Sequence, residues 1–492
     1  MNARLGTGVF AAFVFAVSVM AGCALEPDYQ RPAAPVQPGW TDGTSSAAAG
    51  TAADIGWREF FPDPNLKRLI ELALQSNRDL RVAALNVQAA QAQYRIQRAD
   101  LLPTIAATGT EEVQRSPGSV ISSSASAAAA SGGTATTSSG VITRVFNAGV
   151  GFTSYEIDLF GRIRSLDHAA LEQYLGYEET RRGMQLSLIA EVASSYLTIL
   201  ADQANLKVTR DQFEGQSASY ELIRRSLEAG ATTALAARQQ EIAVDTAKAN
   251  LSAYTRQLAQ DRNALALLIG GPLPDDLDLS APLEAVQLQA DLPAGLPSEV
   301  LARRPDVLAA EHQLIAANAD IGAARAAFFP SISLTGSYGT ASTELSGLFK
   351  DGSTAWTFSP QISLPIFAGG ANQANLDLSK IQKNVNIAQY EKALQSAFKE
   401  VDDALAARKT LDEQLSAQRE LQAAAADAYH LADVRFRGGV DSFLPVLTAQ
   451  QALYSAQQGV VSLELSRLQN MATLYKALGG GSLEHSASLV PQ

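Results

Sequence analysis

Histidine and cysteine, which commonly act in catalysis or bind metals, are few in this 492-residue sequence: it has four histidines and one cysteine, widely spaced. The four histidines, His168, His312, His430 and His485, have no metal-ligand spacing, and no phosphate-binding loop, nucleophile elbow or zincin motif accompanies them. Histidines without such neighbours are typical of helix surfaces. The sequence therefore predicts no catalytic residue, no metal site and no cofactor, and we expect the protein not to be an enzyme.

The single cysteine, Cys23, stands at a position suited to covalent modification. It follows an uncharged apolar run, residues 9–20, which is too short to span a membrane and is typical of a secretory signal peptide. The run ends in Met20-Ala21-Gly22-Cys23, which resembles the bacterial lipoprotein box. We expect residues 1–22 to be removed and Cys23 to carry N-palmitoyl and S-diacylglycerol groups. Ala24, in place of Asp, implies export to the outer membrane.

Composition excludes several classes of protein. Apolar residues make up 47% of the chain and charged residues 18%, which is typical of a chain with a large buried core and excludes disorder over most of its length. A net charge of −12 and the lack of any Lys/Arg run argue against a nucleic-acid partner. No segment after the signal peptide approaches eighteen consecutive apolar residues, so we expect no transmembrane helix.

An internal repeat organises the mature chain. Residues 78–102 and 305–329 are helical patterns that each end at a proline, whose ring cannot continue a helix. Each pattern is followed by two strand-like segments, a long helical pattern, a glycine break (Gly230 in the first half, Gly438-Gly439 in the second) and a further helix. The two halves therefore predict the same architecture twice.

The boundaries of these segments follow from the repeat. We predict a first repeat over 78–271, with a β-hairpin at about 104–160, and a second over 305–481, with a β-hairpin at about 331–367. The segments outside the repeats are an extended N-terminus (23–77), a linker (272–304) and a C-terminal tail (482–492).

The long helical patterns are unusual in length. Residues 371–437 contain no Gly or Pro, and residues 162–229 contain no Pro. Each would be about 100 Å long if continuous, at 1.5 Å per residue. Apolar side chains such as Leu394, Phe398 and Val401 recur at the spacing of coiled-coil packing. A soluble bundle would explain the apolar stripes but not the length.

The strand-like segments alternate apolar residues with small polar ones. In the last segment, Trp356, Phe358, Ile362, Leu364 and Ile366 oppose Thr357, Ser359, Gln361 and Ser363. Each segment is about ten residues long, as an outer-membrane strand requires. Four strands cannot close a barrel in lipid, because the edge groups would lack hydrogen-bond partners. Three copies would supply twelve strands and a water-filled lumen, whereas two would supply eight strands and a filled interior, so we predict a homotrimer.

The duplicated plan resembles the TolC-type outer-membrane efflux factors. The lipoprotein box followed by Pro27-Asp28-Tyr29-Gln30-Arg31-Pro32 is similar to the lipoprotein branch that serves resistance-nodulation-division multidrug pumps. Further matching stretches are Tyr155 to Arg164, Arg303 to Asp306, Ala323 to Ile332 and Leu474 to Gly481. Together they span nearly the whole mature chain.

The resemblance implies a fold, a location and partners. The fold is mixed α and β: an internally duplicated helix–β-hairpin–helix chain that forms, as a trimer, a 12-stranded outer-membrane β-barrel on a long periplasmic α-helical barrel. The short elements between the repeats and at the termini would form an equatorial belt. The implied partners are a periplasmic adaptor (membrane fusion) protein, an inner-membrane proton-driven pump and outer-membrane lipid. The implied function is conduction of antibiotics and other toxic compounds to the exterior.

Other functions of the same fold stay open. A type I secretion duct, a heavy-metal exit duct and a passive porin share the architecture, and a structural envelope lipoprotein is the non-transport alternative. Only Met184 and Met471 remain after processing, so the sequence contains no methionine relay of the kind that metal efflux favours.

Candidate gate residues lie where the long helices turn. Positions 209 residues apart pair three residues of the first half with three of the second: Tyr220 with Tyr429, Arg224 with Asp433, and Glu228 with Arg437. If six such turns form a ring around a threefold axis, their opposite charges could close the tip. The alternative is solvated surface charge, worth less than about 1 kcal/mol per pair.

Substitution of the predicted lipidation site tests whether the strands anchor the protein independently. We expect Cys23→Ser to abolish acylation, seen as loss of labelling by radioactive palmitate, while the protein stays in the outer-membrane fraction because the strands supply a second anchor. A variant recovered as a soluble periplasmic monomer would contradict the barrel assignment.

Overall fold

The computed structural model describes residues 25–41, 52–117, 141–277, 279, 281–289, 292–295 and 297–486. Cys23, and with it the predicted lipidation site, lies outside the described residues, as does most of the predicted loop of the first β-hairpin. Two short helices precede the repeats, α1 (Trp57–Phe60) and α2 (Pro64–Ser76).

The two halves contain the same elements in the same order. The first half consists of α3 (Arg78–Ala99), β1 (Ile105–Ser116), β2 (Val141–Ile157), α4 (Arg162–Glu228) and α5 (Ala234–Ile269). After α6 (Pro297–Arg303), the second half consists of α7 (Pro305–Ala326), β3 (Ser331–Ser342), β4 (Thr354–Ser363), α8 (Ala371–Arg437) and α9 (Leu444–Ala477). Both α3 and α7 have 22 residues, and both α4 and α8 have 67. The internal duplication and the mixed α and β composition are confirmed.

Three predicted boundaries are corrected. Helices α3 and α7 end three residues before the predicted ends, because the chain tightens into three-residue turns ahead of each proline: Leu102 N–H donates to Ala99 O and Phe329 N–H donates to Ala326 O, both at 3.0 Å. A proline disfavours helical geometry at the residue before it. Strand β4 ends at Ser363, so Leu364 and Ile366 lie beyond the strand to which the alternation assigned them.

The chain divides into two compact units. The first unit, Met1–Gln30, Gln91–Gln173 and Leu314–Val385, contains an antiparallel sheet in the order β1-β2-β3-β4. At the centre of the sheet Gly149 faces Gly339. A Cβ at Gly339 would lie 2.2 Å from Ala148 O, so this crossing of β2 and β3 requires glycine.

The second unit, Arg31–Ala90, Tyr174–Gln313 and Asn386–Gln492, contains the main apolar core. The ring of Tyr475 in α9 stacks on Phe60 of α1 with centroids 4.0 Å apart, and its hydroxyl donates to Ile55 O at 2.7 Å. Asp63 accepts the first N–H groups of α2 and also the Tyr196 hydroxyl of α4 at 3.0 Å. The short elements at the N-terminus are thus held between helices of both halves.

One described helix, α4, is long and apolar enough by composition to cross a membrane. More than half of the apolar segment of this helix is buried inside the protein, and Val192, Tyr196 and Ile199 are fully buried in the main core. Apolar residues already packed against the protein's own core are typical of a core helix.

Candidate functional site

The two faces of the sheet differ in chemistry. Register pairing places Val150, Tyr338 and Trp356 in one row across β2, β3 and β4. The same face carries mainly apolar side chains, among them Ile105, Ala107, Phe146, Phe152, Ile332, Leu334, Phe358 and Ile362. The opposite face carries small and polar residues: Thr108, Thr110, Asn147, Ser333, Thr335, Ser337, Thr357, Ser359 and Gln361. The sheet is therefore amphipathic across its width.

Within the described residues, the apolar face of the sheet is exposed. Trp356 is 71% exposed and Ile362 is 69% exposed. Large apolar side chains in contiguous exposure mark a surface that contacts lipid or another protein. The small polar face, by contrast, is suited to line water. Such a sheet can contact lipid with its apolar face and line an aqueous path with its polar face.

A β-bulge keeps the apolar face continuous. The register of β2 against β3 shifts between Phe152 and Tyr155, and Ser154 adopts a positive φ of 56°. After the shift Tyr155 pairs with Leu334, so the apolar side chains change from even to odd positions without changing face. The alternation in the sequence did not reveal this bulge, because a change of parity looks like the end of a strand.

The junction between β2 and α4 is held by ion pairs. Arg162 Nε and Nη2 donate to the two carboxylate oxygens of Glu156 at 2.9 and 2.7 Å. Asp158 Oδ2 accepts the backbone N–H of Arg164 at 2.9 Å, which satisfies one of the free N–H groups in the first turn of α4. Phe160 stacks on Phe329 at 4.7 Å. The stretch from Tyr155 to Arg164 thus connects a strand firmly to a helix.

The two helix turns are built alike. Gly230 after α4 and Gly439 after α8 have φ values of 71° and 72°, the left-handed region that favours glycine. In each turn the N–H of the next residue bonds the carbonyl five residues earlier, at 2.8 and 2.9 Å, as in a Schellman motif. The repeat therefore extends to the backbone hydrogen bonds of the turns.

The predicted gate charges pair along their own helices. Arg224 contacts Glu228 at 3.9 Å and Arg437 contacts Asp433 at 2.9 Å, so each half has one ion pair four residues apart, in opposite order. Arg224 also contacts Glu221 at 3.1 Å. Within one chain Arg224 and Asp433 do not pair with each other. A latch between them would have to form between copies, and it stays a prediction.

The two predicted gate tyrosines have different surroundings. Tyr429 packs against an apolar cluster that contains Ile223, Phe443 and Val446 and lies between the two turns. Tyr220 is partly exposed on α4. Tyr429 therefore contributes to the packing that joins the two turns.

An ion pair at the turn after α8 was not predicted from the sequence. Arg435 Nε and Nη2 donate to the Asp441 carboxylate at 2.6 and 3.2 Å, and these hydrogen bonds hold the pKa of Asp441 below its usual value. The equivalent positions of the first half are Ser226 and Thr232. Two charged residues at one turn, where the repeated turn has uncharged residues, are the sequence signal that would have identified this ion pair.

No cluster of three or more metal-ligating side chains occurs in the described ranges. His168 lies 3.1 Å from Glu26, and His485 lies 3.2 Å from Glu59. Neither histidine therefore belongs to a metal-binding set within those ranges.

The sheet, the paired turns and the duplicated helices define a membrane channel subunit. The chain matches the outer membrane efflux protein family over residues 69–271 and 296–480, and it belongs to that family. This membership confirms the predicted TolC-type resemblance and makes the chain an outer-membrane efflux channel rather than an enzyme.

Individual relatives are similar along nearly the whole chain. The antibiotic efflux pump outer membrane protein ArpC and the toluene efflux pump outer membrane protein TtgC, both of Pseudomonas putida, are each 50% identical over 472 residues, which cover 95% of this chain and 94% of theirs. The open-state structure of the MtrE outer membrane channel of Neisseria gonorrhoeae superposes with a TM-score of 0.84 at 40% identity, covering 95% of this chain and all of that chain.

Neighbouring residues on β4 test the division between the sheet faces. We expect Phe358→Lys to cost about 2–4 kcal/mol if the side chain lies near the bilayer midplane, because a lysine there must be desolvated. Ser359→Lys, one residue away on the polar face, should leave assembly intact and change ion selectivity. Thermal unfolding and planar-bilayer reversal potentials measure the two effects. Equal tolerance of both substitutions would contradict the assignment.

Charge removal at the turns tests the predicted gate. We expect Asp433→Ala and Arg224→Ala each to raise single-channel conductance, and their combination to be less than additive if the two residues contact each other between copies. Lys399→Ala is the control, because it also removes a same-helix ion pair of α8. Conductance equal to wild type in all three gate variants would refute the latch.

Proposed function

We propose that the chain is the exit duct of a tripartite drug efflux system and that it works as a homotrimer. In this proposal three four-stranded sheets close one 12-stranded barrel in the outer membrane, and the long helices form a conduit in the periplasm. Antibiotics and other small toxic compounds enter from an inner-membrane proton-driven pump through a periplasmic adaptor protein. The pump supplies the energy.

The observation that carries the proposal is the sheet with two open edges. Strands β1 and β4 each have a sheet partner on one side only within the described residues. In lipid their outer N–H and C=O groups would each cost several kcal/mol without hydrogen-bond partners, so copies of the chain must pair edge to edge. Twelve strands leave space for solutes, whereas eight strands are filled by their own side chains.

The remaining parts of the proposal rest on the sequence and on the relatives. Acylation of Cys23 would add a lipid anchor to the barrel, and it rests on the lipoprotein box. Antibiotics and organic solvents as cargo are supported by the names of the relatives, which are efflux pump proteins for antibiotics and toluene. The type I secretion and heavy-metal alternatives have no such support among the relatives named above.

Deletion of the gene in its own bacterium tests the proposed cargo. We expect a several-fold lower minimum inhibitory concentration for antibiotics and lower tolerance of toluene, both restored by the wild-type gene but not by a copy encoding Phe358→Lys. Sensitivity to copper and export of protein substrates should not change. Unchanged drug susceptibility with loss of metal tolerance or of protein secretion would replace this function with one of the alternatives.

A further inference from the structure

A buried arginine joins three helices of the second repeat. The Arg304 side chain, directly before α7, is only 7% exposed. Its Nε and Nη2 donate to the two carboxylate oxygens of Asp306 at 3.0 and 2.8 Å, and Nη2 also donates to Glu400 of α8 at 2.7 Å. Its Nη1 donates to the carbonyl of Ala477, the last residue of α9, at 3.0 Å. One guanidinium therefore bonds to the beginning of α7, to α8 and to the end of α9.

The chemistry of arginine suits this junction. A guanidinium carries five N–H donors in a fixed planar arrangement, so it can bond to several groups at once without changing shape. The last carbonyls of a helix have no partner within the helix and carry the negative end of its dipole, which favours a cation beside Ala477. A buried cation also needs paired anions, and Asp306 and Glu400 supply them. A lysine, whose donors share one nitrogen, could not span all three partners.

The first repeat contains an uncharged version of the same junction. Asn77 directly precedes α3, as Arg304 directly precedes α7. Its Nδ2 donates to Leu268 O of α5 at 2.8 Å, and Leu268 is the counterpart of Ala477, 209 residues earlier. Its Oδ1 accepts the N–H of Leu80 at 2.8 Å, as in an N-cap. A side-chain bond to the end of the return helix is thus common to both repeats.

The two junctions differ in their bond to the longest helix of each repeat. Glu191 of α4 is the counterpart of Glu400, 209 residues earlier, and Asp79 of α3 is the counterpart of Asp306. Both Glu191 and Asp79 are exposed, and within the described ranges neither forms a salt bridge. In the same part of the chain the Asn77 side chain bonds to α3 and α5 but has no hydrogen bond to α4. The carboxylates are therefore repeated, whereas the cation that joins them is not.

We propose that Arg304 is a positioning residue that holds α8 and α9 in fixed register with each other and with the beginning of α7, and that the first repeat lacks this restraint. The family description and the names of the relatives assign no role to Arg304. The proposal concerns contacts within one chain, so it depends neither on the cargo nor on the number of copies in the channel.

The restraint acts at the ends of α8 and α9 that are distant from their shared turn. Helix α9 has 34 residues from Leu444 to Ala477, which is about 50 Å at 1.5 Å per residue. Sliding of α8 along α9 would break the bond of Arg304 to Glu400 or its bond to Ala477. The two helices that lead to the turn after α8 are therefore held as a pair, whereas no equivalent side-chain bond holds α4 to α5 at Asn77 among the described residues.

Hydrogen exchange in the full-length protein tests this role. Arg304→Asn introduces the residue type that serves the first repeat, so we expect the variant to fold. Amide exchange is measured by mass spectrometry in one detergent at one pH, in residues 305–312, 397–404 and 470–477. We expect exchange in the variant to be faster by on the order of tenfold in all three segments, because the lost hydrogen bonds involve a charged group.

The neighbouring arginine provides a matched control. Arg303 has a side chain that is 58% exposed and contacts Asp54 at 3.6 Å. Arg303→Asn should therefore leave exchange in residues 397–404 and 470–477 as in wild type. Equal effects of Arg303→Asn and Arg304→Asn, or faster exchange confined to residues 305–312, would overturn the proposal.

Double variants distinguish these particular bonds from a general loss of packing. Glu400→Gln alone should speed exchange in residues 397–404, and it provides a second test if Arg304→Asn folds poorly. Its combination with Arg304→Asn should be less than additive, because both substitutions remove the same bond. Glu413→Gln, at an exposed position of the same helix, should add independently to Arg304→Asn. Strictly additive effects of Glu400→Gln and Arg304→Asn would also overturn the proposal.

Discussion

The outer edges of β1 and β4 each present a row of backbone N–H and C=O groups that no described strand of the same chain pairs with. In water this would be a minor liability, but in a bilayer each unpaired group costs several kcal/mol. The rest of the channel architecture depends on this constraint. An edge that must be paired and a chain that supplies only four strands together require association, and the two chemically different faces determine which side of the shared barrel meets lipid.

Several local features keep the sheet compatible with closure. Glycine at 149 and 339 lets β2 and β3 approach closely, and Gly336 leaves room for the ring of Phe152, which would lie 2.8 Å from a Cβ there. The bulge at Ser154 preserves the apolar face where β2 approaches its helix. The bidentate pair of Arg162 with Glu156 then fixes the direction in which α4 leaves the strand. Together these features fix the positions of the strands, the face on which their side chains lie and the direction of the helix that follows β2.

Much of this fold could be predicted because the signals are local and are repeated. The absence of Gly and Pro from residues 371–437 predicts the helix that the structure contains over that range. Alternation of large apolar and small polar residues predicts the two faces of β4 up to Ser363. The internal duplication supported each predicted helix and strand, since each element appears twice in the same order. The predicted oligomer followed from the number of strands and the chemistry of lipid.

Contacts between distant helices could not be predicted in the same way. The hydrogen bond between Thr209 of α4 and the Tyr454 hydroxyl of α9, at 2.8 Å, depends on the register of the two helices, which no local pattern specifies. The partners of Arg224 and Asp433 illustrate the same difficulty, because positions equivalent by repeat are not positions in contact. Tyr429 carried no sequence signal that distinguishes a packing role from a gating role.

Disulfide cross-linking between sheet edges tests the shared barrel most directly. Thr108→Cys on β1 would be combined in turn with Thr357→Cys, Ser359→Cys or Gln361→Cys on β4, in a chain whose only other cysteine, Cys23, is replaced by serine. If three copies share one barrel, at least one combination yields a covalent trimer on a non-reducing gel, and the single variants yield none. Products that stop at the dimer, or no cross-link in any combination, would contradict the account.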